Sequence, residues 1–265
     1  KATGALPIRN TDDAGAVAVS GFRDDTNKAD LVLALPFNTT GGDVSGDING
    51  TSSNKVATDT GATTSTDQSI FYGTSYKFTG GDDYISFSDV NDWYFNGDFT
   101  VEGWVWFDAN PTTNFETIIS QWREDHNLNN FSIRHLTDGK VAGYINRAGT
   151  ETAVSSSKSL VNDRWYHIAY VVSGTTLSLY VDGLLQQTND VGSGSANNSG
   201  LKLMIGSQDN ANGNGEKLLQ NTTYLQDFRI YKGVAKYTSN FTPAFPTPDL
   251  ISSSLVGIAT FTGDA

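Results

Sequence analysis

The chain has 265 residues, a formal net charge of −12 and no cysteine. The absence of cysteine excludes disulfide bonds and cysteine-ligated zinc, and the acidic charge with dispersed Lys and Arg residues disfavours binding to nucleic-acid phosphates. Thr, Ser, Asn, Asp and Gly are abundant and 11% of the residues are aromatic, which favours strands and turns over helices. No apolar run approaches the roughly 20 residues of a membrane span, so membrane insertion is not expected.

The first part of the chain predicts a short strand within a mixed N-terminal segment and a buried strand before a polar segment. Residues 1–29 are mixed in character and predict an arm or linker with one short strand near residues 16–19. An apolar run at residues 30–37, ended by Pro36, predicts a buried strand. Residues 39–67 are almost entirely Thr, Ser, Gly, Asn and Asp, which predicts a long surface loop.

The next segment alternates clearly between bulky and polar residues. Residues 75–78 and the strand that opens at Tyr84 flank a Gly-Gly-Asp-Asp turn, which predicts a β-hairpin. Residues 99–107 carry bulky side chains on both pleat faces, with Trp104 and Trp106 on one face and apolar residues on the other. This pattern predicts a central strand that is covered on both sides.

The rest of the chain predicts short strands separated by turns. Two strands joined at residues 173–175 precede an Asp-Gly turn and a third strand that ends near Thr188. The other predicted strands are 117–121, 131–135, 141–146, 201–205 and 224–231, and the predicted loops are 192–200 and 208–222. Strands about every ten residues with glycine-rich turns predict an all-β fold, an antiparallel two-sheet sandwich. We expect one domain at residues 30–245, followed by a C-terminal tail or linker at 246–265.

Several segments, taken in order, share residues with one known family. They are Asp43-Val-Ser-Gly46, Ser75-Tyr-Lys-Phe-Thr-Gly-Gly81, Phe99-Thr-Val-Glu-Gly-Trp104, Trp165-Tyr-His-Ile-Ala169, Leu179-Tyr-Val-Asp-Gly183, Ile205-Gly206 and Leu225-Gln-Asp-Phe-Arg-Ile-Tyr231. Together they resemble the laminin-G-like domains of the concanavalin A-like lectin/glucanase superfamily over roughly residues 30–245. The resemblance implies a jelly-roll sandwich of two curved antiparallel sheets.

Two segments have a narrower resemblance. The run Phe228-Arg-Ile-Tyr-Lys-Gly-Val-Ala-Lys-Tyr-Thr-Ser-Asn-Phe-Thr-Pro243 is similar to the end of such domains in tail-fibre and other structural proteins of marine and cyanobacterial phages. The opening run at residues 31–37 resembles the same group. The resemblance implies a virion structural protein.

The sequence predicts that the chain is not an enzyme. Glycan hydrolysis by relatives in this superfamily needs two carboxylates about 5 to 10 Å apart, and no pair of Glu residues occurs at strand spacing. Glu102 shares a pleat face with Trp104 and is predicted to be a structural hydrogen-bonding residue. The three histidines lack metal-ligand spacing, and neither a serine-hydrolase elbow nor a phosphate-binding loop is present.

Calcium is the one inorganic cofactor that the sequence suggests, because the loops are rich in carboxylate and carbonyl oxygens. The family resemblance would bring Asp43, Asn49 and Asp227 together as ligands. The alternative is that Asp43 and Asp227 cap turns and pair with Lys or Arg. A second segment, residues 210–215, mimics the start of an EF-hand loop but lacks its leading Asp, so it predicts a flexible loop.

Glycan recognition would use an aromatic platform flanked by hydrogen-bonding side chains. One candidate platform is Trp93 with Tyr94, in an Asp- and Asn-rich loop. The other is Trp122 with Arg123, Asp125 and Asn127. The alternative for each tryptophan is that it packs as a lid on the core.

Three functions fit these observations. The first is a non-enzymatic structural module of a phage virion, such as a tail-fibre, decoration or tail-associated protein, whose partners are other virion proteins, copies of itself and host-surface glycan. The second is a secreted carbohydrate-binding adhesin domain with structural calcium. The third is an unusual glycan hydrolase. The first two place the protein outside the cell, on a virion or as a secreted protein.

Overall fold

The computed structural model describes residues 25–38, 41–50, 53–125, 127, 129–194 and 196–243. The predicted strand near residues 16–19 and the predicted tail at 246–265 lie outside these residues. None of the helices in the described part of the chain has the length and apolar character needed to span a membrane.

Strands dominate the described chain. In order they are β1 (Leu31–Leu35), β2 (Ala57–Thr60), β3 (Thr63–Ser65), β4 (Ser75–Phe78), β5 (Tyr84–Phe87), β6 (Phe99–Phe107), β7 (Phe115–Ser120), β8 (Phe131–Leu136), β9 (Val141–Arg147), β10 (Thr150–Ser155), β11 (Trp165–Ser173), β12 (Thr176–Val181), β13 (Leu184–Asp190), β14 (Leu203–Ile205), β15 (Gln208–Asp209), β16 (Gly215–Glu216) and β17 (Thr223–Lys232). One short helix, α1 (Ser45–Asn49), and two 3-10 turns, Lys28–Asp30 and Asn91–Trp93, complete the list.

Two large antiparallel sheets form a sandwich, which confirms the predicted fold class. The first sheet has the order β13-β12-β11-β6-β17-β4-β3, and β1 also pairs with β17. The second sheet has the order β10-β9-β8-β7-β14-β5-β2. Strands β15 and β16 form a small separate hairpin.

The core lies between the sheets and is rich in aromatic rings. Phe99 of the first sheet contacts Phe131 of the second, with ring centroids 6.0 Å apart, and Tyr170 lies 6.1 Å from the same Phe131 ring. All three side chains are fully buried. Burial of large apolar side chains between the sheets is the main force that holds such a cysteine-free fold together, at about 1.5–3 kcal/mol for each.

Strand β6 is the predicted central strand. It pairs with β11 on one side and β17 on the other, and all nine of its residues are buried. Val101 and Val105 face the core, whereas Trp104 and Trp106 face outward. The outward face of β6 is covered, because the ring of Phe71 packs edge-on against Trp104 with the ring centroids 5.2 Å apart.

The prediction of one long loop at residues 39–67 is wrong for its described part. Helix α1 buries Ile48 beside Leu31 and Ala34, and Gly50 ends the helix in the left-handed conformation. Strands β2 and β3 then pair with β5 and β4 at the edges of the two sheets. These strands could not be predicted from composition, because Thr occurs in edge strands as well as in loops.

The predicted hairpin at residues 75–85 is also wrong in its pairing. Strand β4 belongs to the first sheet and β5 to the second, so the turn between them carries the chain from one sheet to the other. The turn itself was predicted correctly. A side chain at Gly80, where φ is 89°, would lie 2.7 Å from the carbonyl oxygen of Gln220, which explains the glycine.

Residues 233–243, called the strap from here on, cross the outer face of the first sheet without forming a strand. The rings of Tyr237 and Phe241 stack at 3.5 Å, and the amide of Phe241 donates to the Gly183 carbonyl at 2.9 Å. The strap therefore covers the sheet where β11 and β12 meet. It belongs to the run of residues 228–243 that the sequence analysis singled out, and its path over the sheet was not predicted.

Asp59 on β2 gives a pH-dependent prediction. Removal of its carboxyl from water, followed by the negative charge of Asp83, raises the pKa of Asp59 to about 6. A folded-state pKa above the unfolded value of 3.8 means that stability is fully present below that value and is lost as the pH rises through about 6. We expect Asp59→Asn to remove this loss, so that the variant gains stability relative to the wild type between pH 4 and pH 7.

Urea denaturation at several pH values in that window would measure the difference. Asn keeps an oxygen that can accept the hydrogen bond that Tyr76 donates to Asp59, so the comparison isolates the charge. A constant difference between the two proteins over the whole window would contradict the raised pKa.

Candidate functional site

A cluster of three aromatic rings around one arginine lies on the outer face of the second sheet. On β8, Ile133 faces the core, and alternation turns Ser132 and Arg134 outward. Strand register places Arg134 opposite Thr117 of β7 and Ala142 of β9. Phe115 and Tyr144 lie two residues from these positions and on the same face of the sheet, so their side chains can reach Arg134.

The geometry of the cluster is compact. The guanidinium carbon of Arg134 lies 4.2 Å from the ring centroids of both Phe115 and Tyr144 and 5.0 Å from that of Trp122. The Nε atom of Arg134 donates to Ser132 Oγ at 3.0 Å. We call Phe115, Trp122, Arg134 and Tyr144 the aromatic–arginine cluster. Ring–guanidinium stacking at these distances is favourable and fixes the rotamers of all partners.

The cluster is reachable from outside through two of its members. Phe115 and Tyr144 are partly exposed, whereas Trp122 and Arg134 are 4% and 8% exposed. Burial lowers the pKa of Arg134, and the charges of Tyr144, Glu151 and Glu124 oppose that effect. A guanidinium stays protonated in proteins, so the cluster holds a positive charge among apolar rings.

The loop after β7 forms the rim of the cluster and contains the second predicted glycan platform. Of its residues, Trp122 belongs to the cluster and is buried, so its ring is not the exposed platform that the sequence predicted. Arg123 Nε pairs with Asp125 Oδ1 at 2.6 Å, and Asn127 is exposed. Lys217 also reaches the rim, since its Nζ lies 5.6 Å from the Phe115 ring and 3.5 Å from Glu124.

The first predicted platform has a different environment. Trp93 is fully buried, its Nε1 donates to the Ser88 carbonyl at 3.0 Å, and its ring packs edge-on against Phe87. It is therefore a lid on the core, which was the stated alternative, and its ring cannot act as an exposed platform. Tyr94 beside it is partly exposed.

One buried amide joins the two predicted platforms. The Nδ2 of Asn130 donates to the Trp93 carbonyl at 2.8 Å and to Gln121 Oε1 at 2.9 Å. The loops at residues 91–94 and 121–130 are therefore neighbours in the fold. Their spatial proximity could not be read from the sequence.

The residues suggested as calcium ligands hold the backbone together. Both carboxylate oxygens of Asp43 are occupied, since they accept from the amides of Ala34, Ser45 and Lys55 and from the Ser45 hydroxyl. This is the capping role that was the alternative for Asp43.

The other two suggested ligands make contacts of the same kind. Asn49 Nδ2 donates to the Leu31 carbonyl at 2.7 Å, and Asp227 Oδ1 pairs with Arg229 Nε at 3.0 Å. In the described ranges, no group of three or more His, Cys, Asp or Glu side chains is arranged to hold a metal ion. Calcium binding stays a prediction, and the melting temperature with calcium and with a chelator would test it.

A second titratable cluster lies under the strap. Glu102 is 3% exposed, and its two oxygens accept from Tyr237 Oη at 2.6 Å and from Lys236 Nζ at 2.8 Å. His167 Nε2 lies 3.6 Å from the same carboxylate. These contacts are those of the structural hydrogen-bonding residue that the sequence predicted for Glu102.

Sequence reasoning missed Arg134 and its partners Phe115 and Tyr144. The available signal was a single Arg within a predicted strand whose apolar residues predict core positions. An arginine in such a strand needs partners, but the partners come from two other strands. Without the register between β7, β8 and β9, the sequence does not show which rings surround it.

Comparison with known proteins agrees with the fold. The Laminin_G_3 family, described as belonging to the concanavalin A-like lectin/glucanases superfamily, matches residues 79–236. The comparison with curated proteins found no match.

The similar solved structures include toxin binding domains. They include the botulinum neurotoxin serotype D binding domain, with 16% identity and a TM-score of 0.58 over 78% of this chain and 49% of that one. The binding domain of Paraclostridial Mosquitocidal Protein 1 has 18% identity and a TM-score of 0.57 over 78% and 50%. The binding domain of Botulinum Neurotoxin DC in complex with SialylT has 15% identity and a TM-score of 0.58 over 78% and 49%. The chain thus spans about half the length of these structures, and the likeness concerns the fold.

Proposed function

Because the chain belongs to the Laminin_G_3 family of the concanavalin A-like lectin/glucanases superfamily, we propose that it is a non-catalytic binding domain for cell-surface glycan. The aromatic–arginine cluster is the observation that carries this proposal. It combines two partly exposed rings, Phe115 and Tyr144, with a guanidinium held at a fixed position between neighbouring strands.

The chemistry of the cluster suits a sugar. Pyranose rings have patches of C–H bonds that pack on aromatic faces, and their hydroxyl oxygens accept hydrogen bonds from fixed polar groups. Arg134 stacks on Phe115 and Tyr144, so these rings lose little further freedom when a ligand binds. The cluster also stands on the strands of a rigid sheet, which favours precise contacts.

The surroundings of Glu102 support the non-catalytic part of the proposal. A general acid in glycan hydrolysis must reach the glycosidic oxygen. The Glu102 carboxylate is instead bound by Tyr237 and Lys236 and covered by the strap. Release of reducing sugar from bacterial polysaccharide by the purified chain would overturn this part.

Glycan-array binding by the wild type and two tyrosine variants tests the proposal. Tyr144→Ala removes one ring of the cluster and is expected to weaken binding about tenfold, since a contact ring contributes on the order of 1–2 kcal/mol. Tyr94→Ala is the matched control from the other predicted platform and is expected to change affinity less than about twofold.

Circular dichroism spectra would confirm that both variants are folded. Loss of binding in Tyr94→Ala with unchanged binding in Tyr144→Ala would move the site to the loop at residues 91–94. A blank array for the wild type would overturn the glycan proposal.

The setting of this domain is proposed to be a phage virion. The support is the resemblance of residues 31–37 and 228–243 to phage tail-fibre and structural proteins. In this setting residues 1–29 and 246–265 connect the domain to other virion proteins or to copies of itself. Asp25, at the start of the described chain, already packs on the domain through Arg229.

Electron microscopy of purified particles with gold-labelled antibody against the chain would test this setting. A regular position on the particle is the expected result. Labelling of secreted material without particles would favour the alternative, a secreted adhesin domain. Loss of glycan binding on addition of chelator would then assign a role to calcium.

A further inference from the structure

We propose that the glycan bound at the aromatic–arginine cluster carries a carboxylate, as a uronic or sialic acid does, and that this carboxylate binds Arg134. This inference rests on the proposed glycan-binding function. It deepens that function by naming the class of ligand.

The partners of the other described arginines set Arg134 apart. Arg229 pairs with Asp25 and Asp227, and Arg147 donates to the carbonyls of Gly97 and Gly174. Arg123 and Arg164 each pair with an aspartate. Arg134 is buried, as Arg147 and Arg229 are, whereas Arg123 and Arg164 are more exposed.

Arg134 itself has no such acceptor. Its Nε donates to the neutral hydroxyl of Ser132 at 3.0 Å. Among the described residues, no carboxylate lies within ion-pair distance of the guanidinium, and its other hydrogen-bond partner is the neutral Tyr144 hydroxyl. A buried charge without a counter-charge is unfavourable. An anion from solution that pairs with Arg134 would remove this unfavourable free energy and would therefore bind more tightly than at an arginine that is already paired.

The surrounding groups define how such an anion would fit. A carboxylate is planar and can accept two parallel hydrogen bonds from the terminal nitrogens of an arginine. The partly exposed rings of Phe115 and Tyr144 would then contact the carbon skeleton that bears the carboxylate. Charge and stacking therefore act on adjacent parts of one sugar residue.

Nearby acidic residues make this recognition stringent. Glu124 and Glu151 act on Arg134 through their charge without contacting it, and Glu124 is paired with Lys217 at 3.5 Å. A carboxylate that misses the guanidinium finds no free cation at the rim, because Lys217 is paired with Glu124 and Arg123 with Asp125. An anion would therefore bind when it reaches Arg134 directly, which gives specificity as well as affinity.

Binding of matched acid and ester ligands to the full chain would test the inference. Isothermal titration would compare N-acetylneuraminic acid and glucuronic acid with their methyl esters, which keep the ring and lose the charge. We expect the preferred acid to bind at least about tenfold more tightly than its ester, as loss of a charge-assisted bidentate contact implies. Arg134→Lys should reduce the preference, and Arg134→Met should abolish it.

Two controls separate the possible failures. Lys217→Ala removes a different cation, one at the rim, and is expected to leave the preference for the acid within about twofold. The comparison of acid with ester on the wild type stands even if Arg134→Met does not fold. Equal binding of acid and ester would overturn the inference and leave the glycan-binding function intact, whereas a blank array together with no binding of either ligand would overturn both.

Discussion

Replacement of Lys236 by methionine is expected to destabilise the fold by about 3–5 kcal/mol, because it leaves a buried carboxylate without its cation. Lys236 Nζ lies 2.8 Å from Glu102 Oε1 and 3.4 Å from Asp25 Oδ2. Both carboxylates are almost completely buried. Methionine keeps much of the length of the lysine side chain, so the variant removes the charge with little change in packing. Denaturation by guanidinium chloride, followed by circular dichroism, would measure the loss.

The environment of Lys236 explains the size of this effect. Its Nζ also donates to Tyr231 Oη at 2.8 Å and lies 4.1 Å from the Tyr231 ring. Burial raises the pKa of Tyr231 to about 12, so the hydroxyl stays protonated and donates to Asp25. The strap, the sheet and residue 25 thus meet in one buried polar network. Loss of one member leaves the other members without one of their hydrogen-bond or charge partners.

Lys140 offers a matched control. It forms an ion pair with Asp138 at 3.3 Å at the surface, and Lys140→Met is expected to cost less than about 0.5 kcal/mol. Adding Glu102→Gln to Lys236→Met should recover part of the stability, since a neutral amide needs no cation. If Lys236→Met costs no more than the surface control, the strap is not held by this network.

The fold was predictable where the sequence contrast is strong. Strand β6 has bulky residues on both faces, and such a pattern fits a central strand of a sandwich and little else. The Asp182-Gly183 turn between β12 and β13 was also predictable, because both residues adopt positive φ values of 50° and 75°. Local chemistry decides both features.

Pairing partners and edge strands were not predictable in the same way. The Gly80-Gly81 turn reverses the chain in either case, and only the packed core decides that β4 and β5 join different sheets. Strands β2 and β3 are short and polar, so they are stabilised mainly by backbone hydrogen bonds to β5 and β4. Their residues carry little of that information.

The candidate site was partly predictable for the same physical reason. Trp122 was predicted as a glycan platform because an aromatic residue beside polar loop residues is a local signal, and the structure places it, buried, in the aromatic–arginine cluster. Trp93 gives the same local signal, yet the structure buries it beneath Lys55, whose Nζ lies 5.6 Å from the ring. The Arg134 environment depends on three strands at once, and sequence reasoning has no access to that register.

Gly103→Ala is expected to destabilise the fold by about 2–3 kcal/mol, at the upper end of the usual cost of overpacking a core. A Cβ atom at Gly103 would lie 2.4 Å from the Phe228 ring, which is well inside van der Waals contact. Phe228 itself is buried in the main core and lies 6.4 Å from the Phe37 ring. Urea denaturation of the variant would measure the cost.

A bulge in the neighbouring strand explains why glycine is needed there. On β17, the pairing with β6 shifts between Gln226 and Arg229, and Asp227 adopts a positive φ of 51° within the shift. The extra residue places the Phe228 ring directly over the backbone of Gly103. Phe228→Ala would remove the obstructing ring, so Gly103→Ala should cost clearly less in that background than in the wild type. Additive costs in this double-mutant cycle would show that the alanine is resisted by something other than the ring, and the bulge would then lose its role in setting the residue at position 103.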